Sequence, residues 1–341
     1  MPKHKTIEDL ALEARVSVST IDRIISGRGY VKPTTVEHVL AVAERMEFYA
    51  VETIRRKLSG DAPERQFGFV LNSGRRQLYR ELTDELSSAV KKSGSVRGTS
   101  VVTHLEGTDP ERAASALLEL GEHCDAIAAV CVDHPLVSAA INDLCRRGIP
   151  VVAMISDIST PARAGFVGSN DWQLGRTAGW FARRLAPEGR AAVFMGSERY
   201  TCQQVHESGF RGYLRAHSND DILMQTFITN EDDDVAREVT RRLLAGQPDI
   251  KVLFVAGGGI DGVCEALAER DRRDVVLIGC EMTDRTRSRM ATGEIDVILA
   301  HPVKEIARQA VQSLVKIAGA PPASQPFQTT VPFTVIVSEN C

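Results

Sequence analysis

The stretch VSVSTIDRIISGRGYV, Val16 to Val31, decides how the chain begins. Ser17 is suited to cap a helix that runs to about Ile25 with Ile21, Ile24 and Ile25 turned inward. Gly27-Arg28-Gly29 ends it. The outer side carries Ser19, Thr20 and Arg23, and a helix made only to fill a core has no use for such a face. Upstream, Thr6 and Asp9 form a short capping pair for a helix over Ile7–Ala14. Downstream, Pro33 suits the first turn of a third helix that reaches about Met46 on Val36, Val39, Leu40 and Ala43. Three short helices with a tight turn between the first two are the helix-turn-helix layout, whose second helix enters the major groove. There Ser17, Ser19 and Thr20 approach phosphates and bases without steric conflict, and Arg23 reaches guanine or phosphate, with Arg28 in the exit turn beside them. A plain three-helix bundle with a solvated polar face is the alternative.

The full chain of 341 residues is too long for one small domain, and 43% hydrophobic with 25% charged residues is the balance of a folded, soluble protein. The formal charge of −4 advertises no nucleic acid, but residues 1–60 are net +2 and the remainder net −6. MPKHKTIEDL contains no apolar run of a secretory signal, and no stretch is apolar enough for a membrane span. The seven cysteines are odd in number and form no C-x-x-C pair, so they read as reduced thiols of a cytoplasmic protein.

From residue 66 the pattern becomes strand then helix, repeated: QFGFVLN before LYRELTDELSSAVKKSG, DAIAAVCVD before LVSAAINDLCRRG, RAAVFMG before SGFRGYLRAHS. Apolar strands alternating with amphipathic helices give a parallel α/β architecture covered on both faces, and two such runs predict two lobes. Ligands of these folds collect at the carboxyl ends of strands. That rule nominates Asn72–Arg76, Asp133-His134, Ser156-Asp157, Ser169–Asp171, Gly257–Asp261, Glu281 and His301, whose amides and carboxylates suit sugar hydroxyls.

Gly257–Gly262 also matches G-x-G-x-x-G between a strand and a helix, with Glu281 about twenty residues on, which is the dinucleotide fingerprint and raises an NAD(H)-binding alternative. Its late position in a second lobe opposes that reading. No nucleophile elbow, H-E-x-x-H or P-loop lysine occurs, and the eight histidines lack ligand spacing, so neither an enzyme nor a metal or cofactor is expected.

TIEDLALEARVSVSTIDRIISGRGYVKPTTVEHVL resembles the DNA-binding headpiece of the LacI/GalR family of bacterial transcription regulators. The resemblance implies base contacts from Val18, Ser19 and Arg23 and phosphate contacts from Ser17, Thr20 and Ser26. Arg15 stands where the family usually has a turn glycine, Asp22 replaces a serine, and Lys32-Pro33 replaces a serine cap. Residues 47–66 correspond to a hinge that, in the family, inserts a leucine into the minor groove; Leu58, with Ile54 one turn away, is the matching wedge. The body is similar to the periplasmic-binding-protein-like (type I) effector domain that accompanies this headpiece. That likeness implies ligand contacts from Arg76, Tyr79, Ser169, Asp171, His206, the Gly258 turn with Asp261, and Glu281. Asn170-Asp171 reverses the usual order, His206 replaces a common arginine, and Ala300-His301 replaces a glutamine-containing pair. The expected organisation is a headpiece over 1–48, a hinge over 49–65, and an effector domain over 66–341. Its first lobe would span about 66–163 and 297–326, its second about 164–296 and 327–341. The expected function is a homodimeric repressor on pseudo-palindromic operator DNA, controlled by a small carbohydrate or polyol. Arg75 and Arg76 hint at an anionic group on that ligand.

Overall fold

The computed structural model describes residues 5–46, 48–51, 53–55, 62–217, 223–320 and 325–341. Two compact units make up the chain, residues 1–67 with 87–100 and residues 68–86 with 101–341.

In the first unit, α1 (Ile7–Glu13), α2 (Val18–Ser26) and α3 (Pro33–Arg45) form as their end signals dictate. Thr6 and Asp9 close a reciprocal capping box on α1, Ser17 accepts from the Thr20 N–H, and Gly27 ends α2 at φ 71°. Arg15 takes φ 52°, so the turn between α1 and α2 does demand a left-handed residue, and an arginine supplies it at a cost of about 1–2 kcal/mol. His38 Nε2 donates to the Ala14 carbonyl at 3.1 Å and pins that turn from α3. Leu10, Ile21, Ile24, Val39 and Ala43 make the core, and Phe48, Ala50 and Ile54 pack into it. Phe48, Ala50 and Ile54 thus extend the headpiece core past the expected boundary at residue 48.

Most of the rest consists of two six-stranded sheets. The first holds β1 (Glu64–Leu71), β2 (Arg97–His104), β3 (Ala126–Ala129), β4 (Val151–Met154), β5 (Gly165–Gly168) and the late strand β11 (Phe327–Thr330), in the order β2-β1-β3-β4-β5-β11. The second holds β6 (Arg190–Met195), β7 (Leu223–Ile228), β8 (Ile250–Val255), β9 (Val276–Gly279), β10 (Val297–Ala300) and β12 (Thr334–Ile336), in the order β7-β6-β8-β9-β10-β12. β12 runs antiparallel to β10, whereas β6, β7, β8, β9 and β10 pair in parallel. Strands such as AIAA, VVAM and VILA are buried throughout, which explains their unbroken apolar runs.

Helices cover the sheets: α4 (Gln77–Lys92), α5 (Pro110–Leu120) and α6 (Pro135–Arg146) follow the first strands. The second lobe carries α7 (Asp171–Leu185), α8 (Thr201–His217), α9 (Asp233–Gly246), α10 (Ile260–Glu269) and α11 (Asp284–Ala291). A late helix, α12 (Val303–Ile317), returns to pack on β3, β4 and β5. Both sheets share one doubly wound order, with switch points between β1 and β3 and between β6 and β8, where ligand crevices form.

The expected lobe boundaries need correction. β5 pairs with β4 and β11, so residues 165–168 and 327–330 belong to the first lobe, and β10 pairs with β9 and β12, so residues 297–300 and 334–336 belong to the second. The chain crosses between lobes after β5, after β10 and after β11, each time a few residues later than hydropathy alone indicates.

α7 and α8 meet at glycines. A Cβ on Gly175 would lie 2.1 Å from the His206 carbonyl oxygen, and one on Gly209 would lie 2.6 Å from that of Trp172. Gly175→Ala is expected to destabilise by about 1–3 kcal/mol, seen as a lower urea midpoint at unchanged slope. An unchanged midpoint would mean the helices do not approach this closely.

Candidate functional site

Two surfaces carry the chemistry. On the headpiece, Ser17, Val18, Ser19, Arg23, Ser26 and Arg28 are exposed and Thr20 is half-buried, all on or beside α2. Ser17 Oγ sits 2.8 Å from both the Ser19 and Thr20 hydroxyls, so the helix opens on a cluster of three hydroxyl groups, and Arg23 projects one turn further on. Ile54 is fully buried in the headpiece core, which makes it a packing residue and corrects its expected place at DNA. Leu58 lies outside the described residues.

The second surface is the cleft between the strand ends of the two lobes. Asn72, buried at the end of β1, donates to the Tyr200 hydroxyl of the other lobe at 2.8 Å. Arg76, just before α4, donates one guanidinium nitrogen to Glu231 and another to Glu281, and lies 5.3 Å from the centre of the Tyr79 ring. Glu231 also accepts from Gln203 Nε2 at 2.6 Å and from the Gly258 N–H at 3.0 Å. Gln203 is oriented in turn, since its Oε1 accepts from the Gly196 and Ser197 N–H groups at 2.7 and 3.2 Å. The loop carrying Glu231 is strained, with Asn230 at φ 54° and Glu231 at φ 60°. Ile155, beside the same cavity, stands at φ 61°, a true outlier for a β-branched residue.

Deeper in, His206 is fully buried and its Nε2 lies 3.0 Å from Asp171 Oδ1. His301 faces it with ring centres 5.9 Å apart. Burial, reinforced by the neighbouring His206 and partly offset by Asp171, lowers His301 to about 4, so it is neutral at pH 7. Burial pushes the Tyr79 and Tyr200 phenols up and raises Cys131 to about 12, with Cys202 and Cys280 also raised. The phenols therefore act as neutral hydroxyls, and the thiols are not nucleophiles. About 30 Å³ of free space remains among these groups.

Residues 6–50 match the model of the lacI family of bacterial regulatory proteins, and residues 67–321 match that of the periplasmic binding protein domain. The chain belongs to the periplasmic-binding-protein family and is a lacI-type regulator. Solved structures agree on the fold of the body. A solute-binding protein of an ABC transporter from Burkholderia graminis, in complex with D-arabinose, is 20% identical with a TM-score of 0.74, over 82% of this chain and 97% of that one. One from Bacillus halodurans with bound myo-inositol is 19% identical with a TM-score of 0.70, over 83% and 97%. One from Agrobacterium vitis bound with α-D-tagatopyranose is 15% identical with a TM-score of 0.73, over 81% and 96%. No curated protein matches the sequence.

The cleft of this lacI-type regulator brings together many of the residues expected from sequence. Tyr79, Glu281 and His301 line the free space, Arg76 reaches it through its ion pairs with Glu231 and Glu281, Gly258 abuts Glu231, and Asp171 and His206 form a pair next to His301. Ser169 is buried at the end of β5 with its hydroxyl unpartnered among the described residues. Asn170 accepts from the Gln173 N–H and caps α7, which frees Asp171 to reach His206 and gives the reversed Asn-Asp order a physical reason.

Three expected ligand residues are engaged elsewhere. Asp261 accepts from Arg289 at 2.9 Å and pairs with Arg285 at 3.3 Å. Asp157 holds Arg163 through both carboxylate oxygens, at 2.6 and 2.8 Å. His134 caps α6, accepting from the Leu136 N–H at 3.2 Å. The glycine fingerprint also has a local explanation. The Gly258 N–H, which would meet a pyrophosphate, is taken by the Glu231 carboxylate, and a Cβ there would come within 2.6 Å of that group. A fixed anion in the turn opposes the NAD(H) alternative. The hint of an anionic effector also falls: Arg76 already serves two carboxylates, and Arg75 is exposed beside Glu106.

Sequence reasoning missed Glu231, Gln203 and Tyr200. Only the acidic run Asn230–Asp234 marked Glu231, and such runs ordinarily face solvent.

Because His301 is lowered from 6.5 to about 4, the unfolded chain takes up its proton first as pH falls. Its contribution to stability is complete above pH 6.5 and lost progressively toward pH 4, by up to about 3 kcal/mol. His301→Gln should flatten the fall in urea stability between pH 7 and pH 4.5. Parallel curves for the two proteins would place the acid sensitivity elsewhere.

Proposed function

We propose that this lacI-type regulator is a cytoplasmic, homodimeric repressor of a catabolic operon. Its operator affinity is set by a small carbohydrate or polyol bound between the two lobes. The observation that carries the reading is the convergence of Asn72, Arg76, Gln203, Glu231 and Glu281 from segments that follow strands of both sheets. Donors and acceptors packed this densely, with the hydroxyls of Tyr79 and Tyr200, suit a ligand made mostly of hydroxyl groups. The fold neighbours crystallised with D-arabinose, myo-inositol and tagatopyranose support the same ligand class. Among the described residues no helix is long and apolar enough to cross a membrane.

On operator DNA the α2 helices of two protomers would occupy half-sites of a pseudo-palindrome, with Val18, Ser19 and Arg23 at base edges. Ser17, Thr20, Ser26 and Arg28 would hold phosphates. The effector weakens this binding by favouring a lobe geometry that DNA does not, a coupling of typically about 1–3 kcal/mol.

Fluorescence anisotropy on DNA from upstream of the protein's own gene, with and without pooled sugars and polyols, tests the reading. Salt-sensitive binding above scrambled DNA that falls with one pool is the expected result. Arg23→Ala should remove the preference for operator over scrambled DNA and leave effector binding intact, whereas loss of both would sink the two-module picture. Glu281→Gln should blunt the effector response with operator affinity kept.

A further inference from the structure

We propose that Glu231 and Glu281 form a cation-recognition subsite of the effector cleft, filled here by the protein's own Arg76. The effector is then a hydroxylated amine whose ammonium replaces that guanidinium. This rests on the reading of the cleft as the effector site, and three independent features lead to it.

The first is preorganisation. Glu231 is held by Gln203 and the Gly258 N–H on left-handed backbone, all within its own lobe, so its carboxylate is aimed into the cleft whether or not Arg76 arrives. Arg76 comes from the other lobe and is the only residue ion-paired with either carboxylate among the described residues. It behaves as a tethered ligand.

The second is space. The free space lined by Tyr79, Tyr200, Gln203, Glu231, Glu281 and His301 is about 30 Å³, room for roughly two water molecules, so a sugar-sized effector does not fit the cleft as it stands. Binding has to part the lobes there, and parting them draws Arg76 of the first lobe off the two carboxylates of the second.

The third is charge. The Glu231 and Glu281 side chains are only 8% and 14% exposed. With Arg76 displaced, a neutral polyol leaves two buried anions without a counter-charge, and an anionic ligand adds another. An ammonium group restores the balance, and the hydroxyls beside it can meet His301 Nδ1, which is buried and unpartnered among the described residues.

The test separates the subsite from the ligand. Full-length Arg76→Ala is titrated with methylguanidinium chloride by calorimetry, against tetramethylammonium chloride at equal ionic strength. Expected is saturable binding of methylguanidinium, at least about tenfold tighter than to the wild type. The double variant R76A/E281Q should lose it. Equal responses to the two salts, or binding indifferent to E281Q, would overturn the subsite. Arg76→Met keeps the aliphatic packing on Tyr79 and takes the place of Arg76→Ala if that variant does not fold.

In a second arm the wild type is offered D-glucosamine, D-glucose and D-glucuronate, which share a ring and differ in charge. The amine is expected to bind at least about tenfold tighter than the neutral sugar, with the difference erased in Glu281→Gln. Tighter binding of glucose or glucuronate would overturn the amine assignment and sustain the carbohydrate reading. No response to any of the three, with methylguanidinium still filling the Arg76 variant, would support the cation subsite and count against the carbohydrate reading.

Discussion

One guanidinium from the first lobe, held by two carboxylates of the second, fixes the cleft in the geometry seen here. A buried ion pair is favourable only where its remaining lone pairs are also satisfied, because desolvation otherwise cancels the attraction. Glu231 meets that condition. Both of its oxygens accept hydrogen bonds, and the Gln203 amide that serves one of them is locked by two backbone N–H groups after β6. The loops after β6, β7 and β8 thus converge on a single carboxylate. Gly258 has to be a glycine for that carboxylate to come so close, and Asn230 and Glu231 take left-handed backbone to deliver it. The local strain is sustained by the network it creates.

The route of the chain ties the two lobes together at three crossings. It passes between lobes after β5, β10 and β11, and neither sheet is complete until the last strands return. Any relative motion of the lobes has to be absorbed in those short segments. Two of them carry the inner polar group: Ser169, Asn170 and Asp171 follow β5, and His301 follows β10. The Asp171–His206 pair and the His301 ring therefore sit beside the segments by which the chain crosses between the lobes.

Much of this was legible in the sequence. Helix caps, the serine-rich start of α2 and the doubly buried strands each leave a local mark, because the physics behind them acts within a few residues. The lobe boundaries leave none. GFVG, VILA and FQTT are four-residue strands, and nothing in their composition says which sheet they join. Asp261 misled for a related reason. Its arginine partners lie 24 and 28 positions on, in α11, so an acid at a strand end looked free when it was not. Glu231 was hidden twice, by acidic neighbours that resemble a solvated loop and by a backbone conformation that no glycine announces. The glycines of Gly257–Gly262 were visible but ambiguous. Glycine reports that something approaches the backbone closely, and here a carboxylate of the protein does so where a phosphate was one alternative.

A ligand shifts a conformational equilibrium only by the difference in its affinity for the two states. In a cleft left open and empty, almost any ligand that touches both lobes favours closure. Here Arg76 already bridges them, so a ligand that merely substitutes for it gains little from closure itself. What distinguishes the liganded state is the size and shape of the substitute. A side chain filling the space between Glu231 and Glu281 sets one separation of the lobes, and a larger ring between the same carboxylates sets another. Under the proposed replacement of Arg76, the signal through the crossing segments would be a change between two bridged geometries. On the proposal that the effector takes the place of Arg76, specificity and allosteric output would reside in the same three side chains.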